Sequence, residues 1–359
     1  MNTGRKGHLP TLEDVARAAK VSLMTVSNVV NARKVNVREE TRKKVLEAVE
    51  GLGYRPQLHA RSLRIARSHC IGMFIGMRGS DSLATPWTSR MVSSVSTTLS
   101  AAGYVLVLDI QPIDDVSSSA LLKNSFVDGI VAIVSGQPEE RAALWERLLA
   151  LGRPVVALQE TLKFAKDKDV AVLRQNERAG GNALAKHLSM TGVADIRYLQ
   201  PNYSRPNMEE RLEGARRVAT RSNGIAFRTV DCLDESFHSV SAAIEQDIRT
   251  AGPPGAYMAA NELIALAAMD ALDGMGHRVP QDVMLTCFNA FDLWFYAKKK
   301  ITTVSFDAEA MGRLAAETIL SRQDDGAFKR RETVLPGTFI QGETTAPTGR
   351  RAAPLRLKQ

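Results

Sequence analysis

Hydrophobic periodicity changes at Cys70, and this change decides which folds the chain can adopt. Beyond it, apolar runs of strand length alternate with longer stretches of helical periodicity. The first runs are IGMFIG (71–76), YVLVLDI (104–110), GIVAIV (129–134), PVVALQ (154–159) and VAVLR (170–174). Strands that alternate with helices pair in parallel and are covered by helices on both faces. The sequence therefore predicts a doubly wound parallel sheet in this part of the chain.

A second series of strands and helices follows the first. Its predicted strands are DIRYLQ (195–200), AFRTVD (226–231), AYMAA (256–260) and VMLTCF (283–288). Two such α/β halves place a ligand in the crevice at the carboxyl ends of their strands. No Gly-x-Gly-x-x-Gly follows a strand, and no Gly-x-x-x-x-Gly-Lys-Ser/Thr occurs. An enzyme built on a nucleotide-binding fold therefore has little support.

Before Cys70, a short amphipathic helix is predicted after Thr11. Thr11 and Asp14 have the spacing of a capping box, in which each side chain satisfies a backbone N–H of the first turn. One apolar stripe follows at helical spacing, made of Leu12, Val15, Ala16 and Ala19.

A second helix, Leu23–Val30, is predicted directly after the tight connection Lys20–Ser22. Ser22 is placed to cap it, and Val26 and Val30 are expected to turn inward. Two helices joined by so short a turn are typical of a helix-turn-helix. The N-terminal and outer face of its second helix is the part that reaches base edges in the major groove of DNA.

A third helix is predicted from Arg38 to Leu52, and Gly53 ends it. Its buried face is expected to consist of Val45, Leu46, Val49 and Leu52, with Arg42, Lys43 and Lys44 on the polar side. A three-helix bundle without a ligand is the alternative interpretation. The fold class expected for the whole chain is an N-terminal all-α helix-turn-helix head followed by an α/β core of two doubly wound parallel-sheet subdomains.

Net charge is distributed unevenly along the chain. Residues 1–70 contain 14 lysines and arginines against 6 acidic residues, whereas the rest contains 33 of each, so the whole formal charge of +8 lies in the first fifth. A basic head on a neutral body is typical of a protein that binds nucleic acid. A basic solvated face without a partner is the alternative. The charge and the two spaced helices together favour DNA.

Cysteine usage and hydropathy argue against other classes of protein. Cys70, Cys232 and Cys287 are scattered, which favours small buried residues in a reducing cytoplasm over a disulfide framework or a metal site. No apolar run approaches the roughly 18 residues of a membrane span. The polar, basic N-terminus does not resemble a secretory signal. No metal site, cofactor or catalytic residue is predicted.

Three segments of the chain resemble the LacI (lactose-repressor) family of bacterial transcription regulators. They are VARAAKVSLMTVSNVVN, EETRKKVLEAVEGLGYRP and ARSLR, and the similarity continues from about residue 11 to residue 347. The resemblance implies a periplasmic-binding-protein-like core behind the head. The implied domains are a helix-turn-helix head (10–55), a hinge helix or linker (56–69), a core (70–347) and a basic tail expected to be a short disordered end (348–359).

The resemblance also implies how the core divides. Its N-subdomain is expected at about 70–173 and 291–322, and its C-subdomain at about 174–290 and 323–347. In the family this core dimerises and binds a small effector in the cleft between the subdomains. The effector shifts a population of conformations only through its different affinity for them.

The resemblance assigns DNA contacts to the head. The base-contacting positions of the family fall on Leu23, Met24 and Asn28. Relatives commonly carry arginine at the last position, where arginine reads guanine and asparagine suits adenine or a weaker contact. Phosphate contacts, which position a protein without specifying sequence, are expected from Ser22, Thr25, Ser27 and Arg42.

Residues Gln57–Arg64 resemble the family's hinge helix, which folds on operator DNA and inserts a leucine into the minor groove. Leu63 occupies that position, and His59 and Ala60 belong to the same minor-groove element. Such a wedge costs a few kcal/mol of unstacking, which a bent site and extra contacts offset. A linker without structure is the alternative, since an isolated helix of this length is unstable in water.

In the core, the resemblance predicts an effector cleft. The residues expected to face it are Arg78, Trp87, Arg174, Arg205, Asn261 and Asn289. Trp87 is expected to stack on the effector, with packing in the core as the alternative. The arginines suit an anionic effector such as a sugar acid or phosphorylated sugar, with a solvated surface position as the alternative for each.

The predicted function is that of a sequence-specific, DNA-binding transcriptional regulator, a repressor being the usual case in the family. A homodimer is expected, because a twofold protein reads a pseudo-palindromic double-stranded operator. One alternative is a sugar-binding protein of the same core fold, which would lack the basic head and carry a signal peptide. The other is an α/β enzyme, for which no nucleophile elbow, metal-ligand spacing or positioned carboxylate pair is apparent.

Overall fold

The structure is a computed structural model that divides into two compact units, residues 1–68 and residues 69–359. We call the first unit the head and the second the core. The structure describes residues 10–30, 37–54, 67–77, 83, 85–124, 126–161, 165, 168–203, 205–221, 224–291, 295–345 and 355–356.

The described part of the head consists of three helices, α1 (Leu12–Ala19), α2 (Leu23–Val30) and α3 (Glu39–Leu52). The predicted capping box is confirmed, because Asp14 N donates to Thr11 Oγ1 at 3.3 Å and Thr11 N donates to Asp14 Oδ2 at 2.9 Å. Lys20 ends α1 in the left-handed conformation, with φ 55°. Ser22 caps α2 as predicted, since its Oγ accepts from Thr25 N at 3.1 Å.

The small core of the head differs from the prediction in two side chains. Val29, and not Val30, is buried beside Val26, because the face of α2 turned to α1 and α3 follows the three-residue spacing. Of the four apolar residues predicted for α3, only Val45 is fully buried, and Leu46 is 50% exposed. A bundle this small encloses one apolar row of α3 and leaves its neighbours at the surface.

The core contains β1 to β13 and the remaining helices of the described chain. Its strands are β1 (Cys70–Met77), β2 (Val105–Pro112), β3 (Gly129–Val134), β4 (Val155–Leu158), β5 (Val170–Gln175), β6 (Asp195–Pro201), β7 (Ala226–Cys232), β8 (Ala256–Ala259), β9 (Met284–Phe288), β10 (Thr302–Ser305), β11 (Glu332–Leu335), β12 (Thr338–Ile340) and β13 (Leu355–Arg356). Its helices are α4 (Pro86–Ala101), α5 (Ala120–Lys123), α6 (Pro138–Ala150), α7 (Glu177–Ser189), α8 (Pro206–Arg221), α9 (Phe237–Ala251), α10 (Glu262–Gly274) and α11 (Ala308–Asp325).

The strands form two sheets, as the alternation of strands and helices predicts. In the described chain one sheet has the order β11-β5-β4-β3-β1-β2, and all its pairings are parallel. With α4, α5, α6 and α11 it makes the first lobe. The other has the order β13-β12-β10-β9-β8-β6-β7 and with α7 to α10 makes the second lobe. It is parallel except at β12 and β13, which pair antiparallel.

Two of the expected subdomain boundaries differ from the structure. β10, expected in the N-subdomain, belongs to the second lobe, because it pairs with β9 and buries Thr302, Thr303 and Val304 there. β11, expected in the C-subdomain, pairs with β5 and so extends the first lobe. The chain therefore crosses between lobes after β5, after β10 and after β11, and not near residues 290 and 322.

The C-terminal tail of the core differs from the prediction of a disordered end. The basic tail is not wholly irregular, because Leu355 and Arg356 pair antiparallel with β12. Among the described residues no helix is both long and apolar enough to cross a membrane.

Candidate nucleic-acid interface and effector cleft

The predicted base-contacting residues Leu23, Met24 and Asn28, which we call the reading edge, lie on α2 directly after the capped turn. Met24 is 70% exposed and Leu23 and Asn28 are half-buried, so all three remain accessible on the face that Val26 and Val29 do not use. The cap at Ser22 fixes where α2 starts. It thereby fixes which side chains stand at the N-terminal end that enters a groove.

The expected phosphate contacts are small hydroxyl groups at the start of α2 and the guanidinium group of Arg42 on α3. Ser22 Oγ and Thr25 Oγ1 lie 2.8 Å apart and share a hydrogen bond at the start of α2. Arg42 on α3 is only loosely paired, with its Nε 3.9 Å from Glu39 Oε2. A pair this long and exposed is weak and leaves the guanidinium available for a phosphate. The minor-groove residues His59, Ala60 and Leu63 lie outside the described residues.

The core holds a cleft between its two lobes, with an empty volume of about 570 Å³. It lies where the carboxyl ends of parallel strands meet, as the fold rule predicts. From the first lobe it is lined by Met77, Thr85, Pro86, Trp87, Thr88, Ile133 and Gln159, and otherwise by Arg205, Asn207, Met208, Arg211, Asn261, Glu262, Leu263, Asn289 and Phe291. Of the six predicted effector residues it brings together Trp87, Arg205, Asn261 and Asn289.

Arg211 on α8 is the most buried cation of this cleft. Its Nε and Nη2 donate to the two carboxylate oxygens of Glu177 at 2.7 Å and 2.9 Å, and its Nη1 donates to Ala260 O at 2.7 Å. The guanidinium carbon also lies 4.6 Å from the centre of the Phe288 ring. Burial raises the pKa of Glu177, and the charge and hydrogen bonds of Arg211 oppose that shift. The cation is thus matched by a carboxylate inside the protein.

Arg205 follows β6 and is likewise matched. Its Nη1 lies 3.1 Å from Glu235 Oε1, its Nη2 donates to Tyr203 Oη at 3.1 Å, and it stacks on the Tyr203 ring at 5.0 Å. Its Nε is buried and has no hydrogen-bond partner among the described residues. A buried N–H without a partner costs free energy, so this donor is open to an acceptor from outside the described residues.

Two asparagines follow the strands of the second lobe. Asn261 caps α10, because its Oδ1 accepts from Ile264 N at 3.0 Å, and its Nδ2 donates to Glu235 Oε1 at 2.9 Å. Asn289 adopts φ 74°, a conformation that asparagine tolerates better than most residues. Its backbone is held by Val304 and Thr303, whereas its buried Oδ1 has no partner among the described residues. The cleft therefore contains an open acceptor as well as an open donor.

Trp87 packs partly in the core of the first lobe and also lines the cleft, so its stacking on an effector stays a prediction. It stands in the first turn of α4. With the Gln175 amide oriented to accept, Trp87 Nε1 donates to the Gln175 oxygen at 3.2 Å. The indole is therefore fixed in place and presents a flat apolar surface to the cleft.

Of the remaining two predicted effector residues, the structure describes only Arg174. Arg78 lies outside the described residues. Arg174 lines a neighbouring pocket and is paired with Glu332 at 2.6 Å and Glu210 at 3.6 Å. The prediction of a cluster of arginines open to an anion is therefore not supported, because Arg174 and Arg205 both have carboxylate partners.

Sequence reasoning missed several cleft residues. Gln159 directly follows β4, adopts φ 57°, and lies on the cleft wall, and Met77 ends β1. The sequence does contain a signal for these two residues, because both stand at the carboxyl end of an apolar run, where residues of a parallel sheet line the crevice. Arg211, Glu262 and Phe291 carry no comparable signal, because they come from a helix face, a first helical turn and the connection from β9 to β10.

Other reactive groups of the described chain are not arranged as a site. No group of three or more His, Cys, Asp or Glu side chains in the described ranges is placed to hold a metal ion. Burial raises the pKa of the Cys232 thiol and of the Cys287 thiol, each to about 12, which keeps both in the unreactive protonated form. Cys70 is half-buried.

Family profiles match both units of the chain. The profile described as bacterial regulatory proteins, lacI family, matches residues 11–57, and that of a periplasmic binding protein-like domain matches residues 185–345. The chain is 29% identical over 329 residues to the HTH-type transcriptional repressor PurR of Photobacterium profundum, covering 90% of this chain and 95% of that protein. It is 28% identical over 341 residues to the repressor of the same name from Vibrio cholerae, with 94% and 98% covered.

Solved structures share the fold over nearly the whole chain. The Lac repressor dimer bound to operator and the anti-inducer ONPF superposes with a TM-score of 0.77 at 24% identity, covering 95% of this chain and 100% of that one. The Lac repressor bound to ONPG in the repressed state gives 0.81 at 24% identity, with 94% and 100% covered. The complex of the transcriptional regulator CelR with cellobiose gives 0.67 at 25% identity, with 93% and 99% covered.

Proposed function

The chain belongs to the LacI family of bacterial regulatory proteins, and on that premise we propose that it is a repressor whose affinity for operator DNA depends on a small effector in the core cleft. The observation that carries the proposal is the capped helix-turn-helix at the basic end of the chain, with Leu23, Met24 and Asn28 at its reading edge. The named relatives are repressors and not enzymes. We propose the cytoplasm as its compartment, because its target is genomic DNA.

Twofold assembly is part of the proposal. The strand β2 forms one edge of the first-lobe sheet and exposes the apolar side chains of Val105, Leu108 and Ile110. Apolar side chains on an edge strand favour contact with another protein surface. A second copy of this chain would bring two heads to a pseudo-palindromic operator.

A neutral, hydroxylated effector fits the cleft better than an anion. Arg205 and Arg211 are each compensated by a glutamate, so an anion would meet little uncompensated positive charge. Among the described residues, Asn289 Oδ1 lacks a hydrogen-bond donor and Arg205 Nε lacks an acceptor. A hydroxyl group can act as either donor or acceptor. The face of Trp87 suits the apolar side of a sugar ring.

One experiment on the full-length chain tests the proposal in two steps. The chain first selects sequences from a random pool of double-stranded DNA, and twofold-related half-sites are expected. Neutral sugars and sugar acids are then screened for a thermal shift of the protein and for a change in its affinity for the selected DNA. A ligand at 100 times its dissociation constant adds about 2.7 kcal/mol of stability.

The variant Asn289→Ala is expected to lose most of the thermal shift, whereas Gln246→Ala, on the exposed face of α9, keeps it. Failure to enrich any sequence contradicts the role of the head. Enrichment together with a shift by sugar acids alone contradicts the neutral effector and leaves the DNA role standing.

A further inference from the structure

Two consecutive glutamates of α8 form ion pairs with arginines of the other lobe. Arg141 Nη1 lies 3.2 Å from Glu209 Oε1, and Arg174 Nη1 lies 3.6 Å from Glu210 Oε1. Arg141 belongs to α6 and Arg174 to β5, both in the first lobe, whereas α8 belongs to the second. All four side chains line one pocket of about 390 Å³, which shares Gln159 and Asn207 with the effector cleft. The ion pairs therefore cross between the lobes beside that cleft.

Each arginine is held in position by its own lobe. Arg141 is buried, and its Nε donates to Glu160 Oε2 at 3.2 Å and its Nη1 to Gly136 O at 2.7 Å. Trp145 Nε1 donates to the same Glu160 oxygen at 3.3 Å and fixes the carboxylate. Arg174 Nε donates to Glu332 Oε1 at 2.6 Å, across the pairing of β5 with β11. The planar guanidinium groups therefore present their remaining donors to the second lobe in fixed directions.

The glutamates, in contrast, meet these arginines only while the lobes are together. The Glu209 side chain is 46% exposed and that of Glu210 is 22% exposed, so neither is a buried structural charge. Partly exposed ion pairs contribute little to folding as such. The free-energy difference between two arrangements of the folded lobes is small. The small contribution of a partly exposed ion pair is therefore enough to change the populations of the two arrangements.

We propose that Arg141–Glu209 and Arg174–Glu210 form an interlobe clasp that favours the closed arrangement of the core before any effector is bound. A protein that already favours its binding-competent arrangement loses less of its ligand affinity to the cost of closing. The clasp therefore sets how much effector is needed to fill the cleft. This consequence for the effector rests on the proposed function, whereas the clasp itself does not.

The test measures the distance between the lobes in the full-length chain without DNA or effector. Dyes for energy transfer are attached at Ala143→Cys on α6 and Thr220→Cys on α8, two exposed positions of different lobes, in a Cys70→Ser background. Cys232 and Cys287 are buried and stay unlabelled. Labelled chain is diluted with unlabelled chain so that each signal comes from one protomer.

The double variant Glu209→Gln/Glu210→Gln is expected to lower the mean transfer efficiency and broaden its distribution. Glu213→Gln is the matched control, because Glu213 lies on the same helix and pairs with Arg178 at 2.6 Å inside the second lobe. It makes the same chemical change one turn further along and is expected to leave the distribution unchanged. Superimposable distributions for the unsubstituted chain and the double variant would overturn the clasp.

Salt provides a second arm that needs no substitution at α8. Raising the ionic strength to about 1 M shortens the Debye length to about 3 Å and weakens exposed ion pairs. At high salt, the interlobe distances of the unsubstituted chain are expected to approach those of the double variant. The distances of the double variant itself are expected to stay unchanged by salt. Equal salt responses of the two would also overturn the clasp. DNA selection is scored separately, so a failure of the proposed repressor role leaves these distances unaffected.

Discussion

His187 is a titratable side chain enclosed in the second lobe. It stands near the end of α7, its Nε2 lies 2.8 Å from Thr345 Oγ1, and its ring packs at a tilt against Phe339 at 5.2 Å. Burial lowers the pKa of His187 below its ordinary value of 6.5, because the charged imidazolium would lose its hydration. At neutral pH the native core therefore holds this histidine in the neutral form.

The stability of the core should consequently fall on acidification. Below pH 6.5 the unfolded chain protonates His187 while the native chain resists, so the contribution is complete above that pH and lost as the pH falls through the lowered native pKa. Each pKa unit of depression corresponds to about 1.4 kcal/mol. Urea unfolding of the unsubstituted chain and of His187→Gln between pH 7.5 and 5 measures the difference.

The variant His187→Gln should show a flatter pH dependence over this range. His238→Gln, at an exposed position of α9, serves as the control and should follow the unsubstituted chain. Parallel curves for all three proteins would show that His187 titrates alike in the folded and unfolded states.

At the scale of elements, two glycines set the approach of α7 to α8. A Cβ on Gly181 would lie 2.0 Å from Arg211 O, and a Cβ on Gly214 would lie 2.1 Å from Arg178 O. The two helix backbones are therefore in direct contact. This contact places Arg211 of α8 against Glu177 at the start of α7, so the geometry of the cleft depends on glycines that do not line it.

Gly214→Ala is expected to force the helices apart, because the obstructing atoms are backbone and cannot rotate away. Overpacking typically costs 1–3 kcal/mol, and about 3 kcal/mol is expected here. Chemical denaturation measures the loss, and the thermal shift by an effector should shrink as Arg211 moves. Gly274→Ala is the control, since nothing lies within 4 Å of its added Cβ. A Gly214→Ala protein as stable as Gly274→Ala would contradict this account of the helix contact.

At the scale of the whole molecule, the head and the core differ in net charge. The net +8 lies within residues 1–70, and the rest is balanced. Lysines and arginines that neutralise phosphates release condensed counterions, which makes DNA affinity fall with salt. The neutral core adds no comparable attraction for DNA.

Affinity for the selected operator should therefore fall steeply with salt, with a log–log slope of about −0.9 for each phosphate contacted. Arg42→Ala should reduce the magnitude of the slope by about one. Asn28→Ala should leave the slope unchanged and relax the preference at one base pair, at a cost of about 1–3 kcal/mol. Fluorescence anisotropy over a salt series measures both.

Arg249→Ala removes a cation that is 66% exposed on α9 of the core and should change neither the slope nor the preference. An equal loss of slope for Arg249→Ala and Arg42→Ala would mean that the core also neutralises phosphates. The assignment of DNA binding to the head alone would then be wrong.

Most elements could be predicted from sequence because their causes are local. The bounds of α1 and α2 follow from Thr11, Asp14 and Ser22, which act on backbone groups within three residues. The central strands of both lobes, such as β3 and β6, coincide with apolar runs because they are buried within their sheets. The position of the cleft follows from the same patterns, since the order of elements determines where strand ends meet. The family relationship, in contrast, was carried by the resemblance of three sequence segments.

Charge partners could not be predicted, because they come from remote parts of the chain. Arg174 lies 158 residues from Glu332 and Arg141 lies 68 residues from Glu209. An arginine in the sequence is therefore compatible with anion binding, because the sequence does not reveal whether a glutamate pairs with it in the folded protein. The predicted lobes of β10 and β11 were wrong for the same reason. The lobe that each strand joins is decided by its hydrogen bonds to β9 and to β5, respectively, which are remote in sequence.

The sequence by itself determined the helix-turn-helix, the two α/β lobes and the basic end, because capping, periodicity and net charge are properties of neighbouring residues, and its motifs carried the resemblance to the family. Only the tertiary structure decided which lobe each late strand joins, which arginines are already compensated, and which polar atoms of Asn289 and Arg205 remain open toward the cleft. These outcomes depend on contacts between residues far apart in sequence. Such contacts exist only once both lobes are packed.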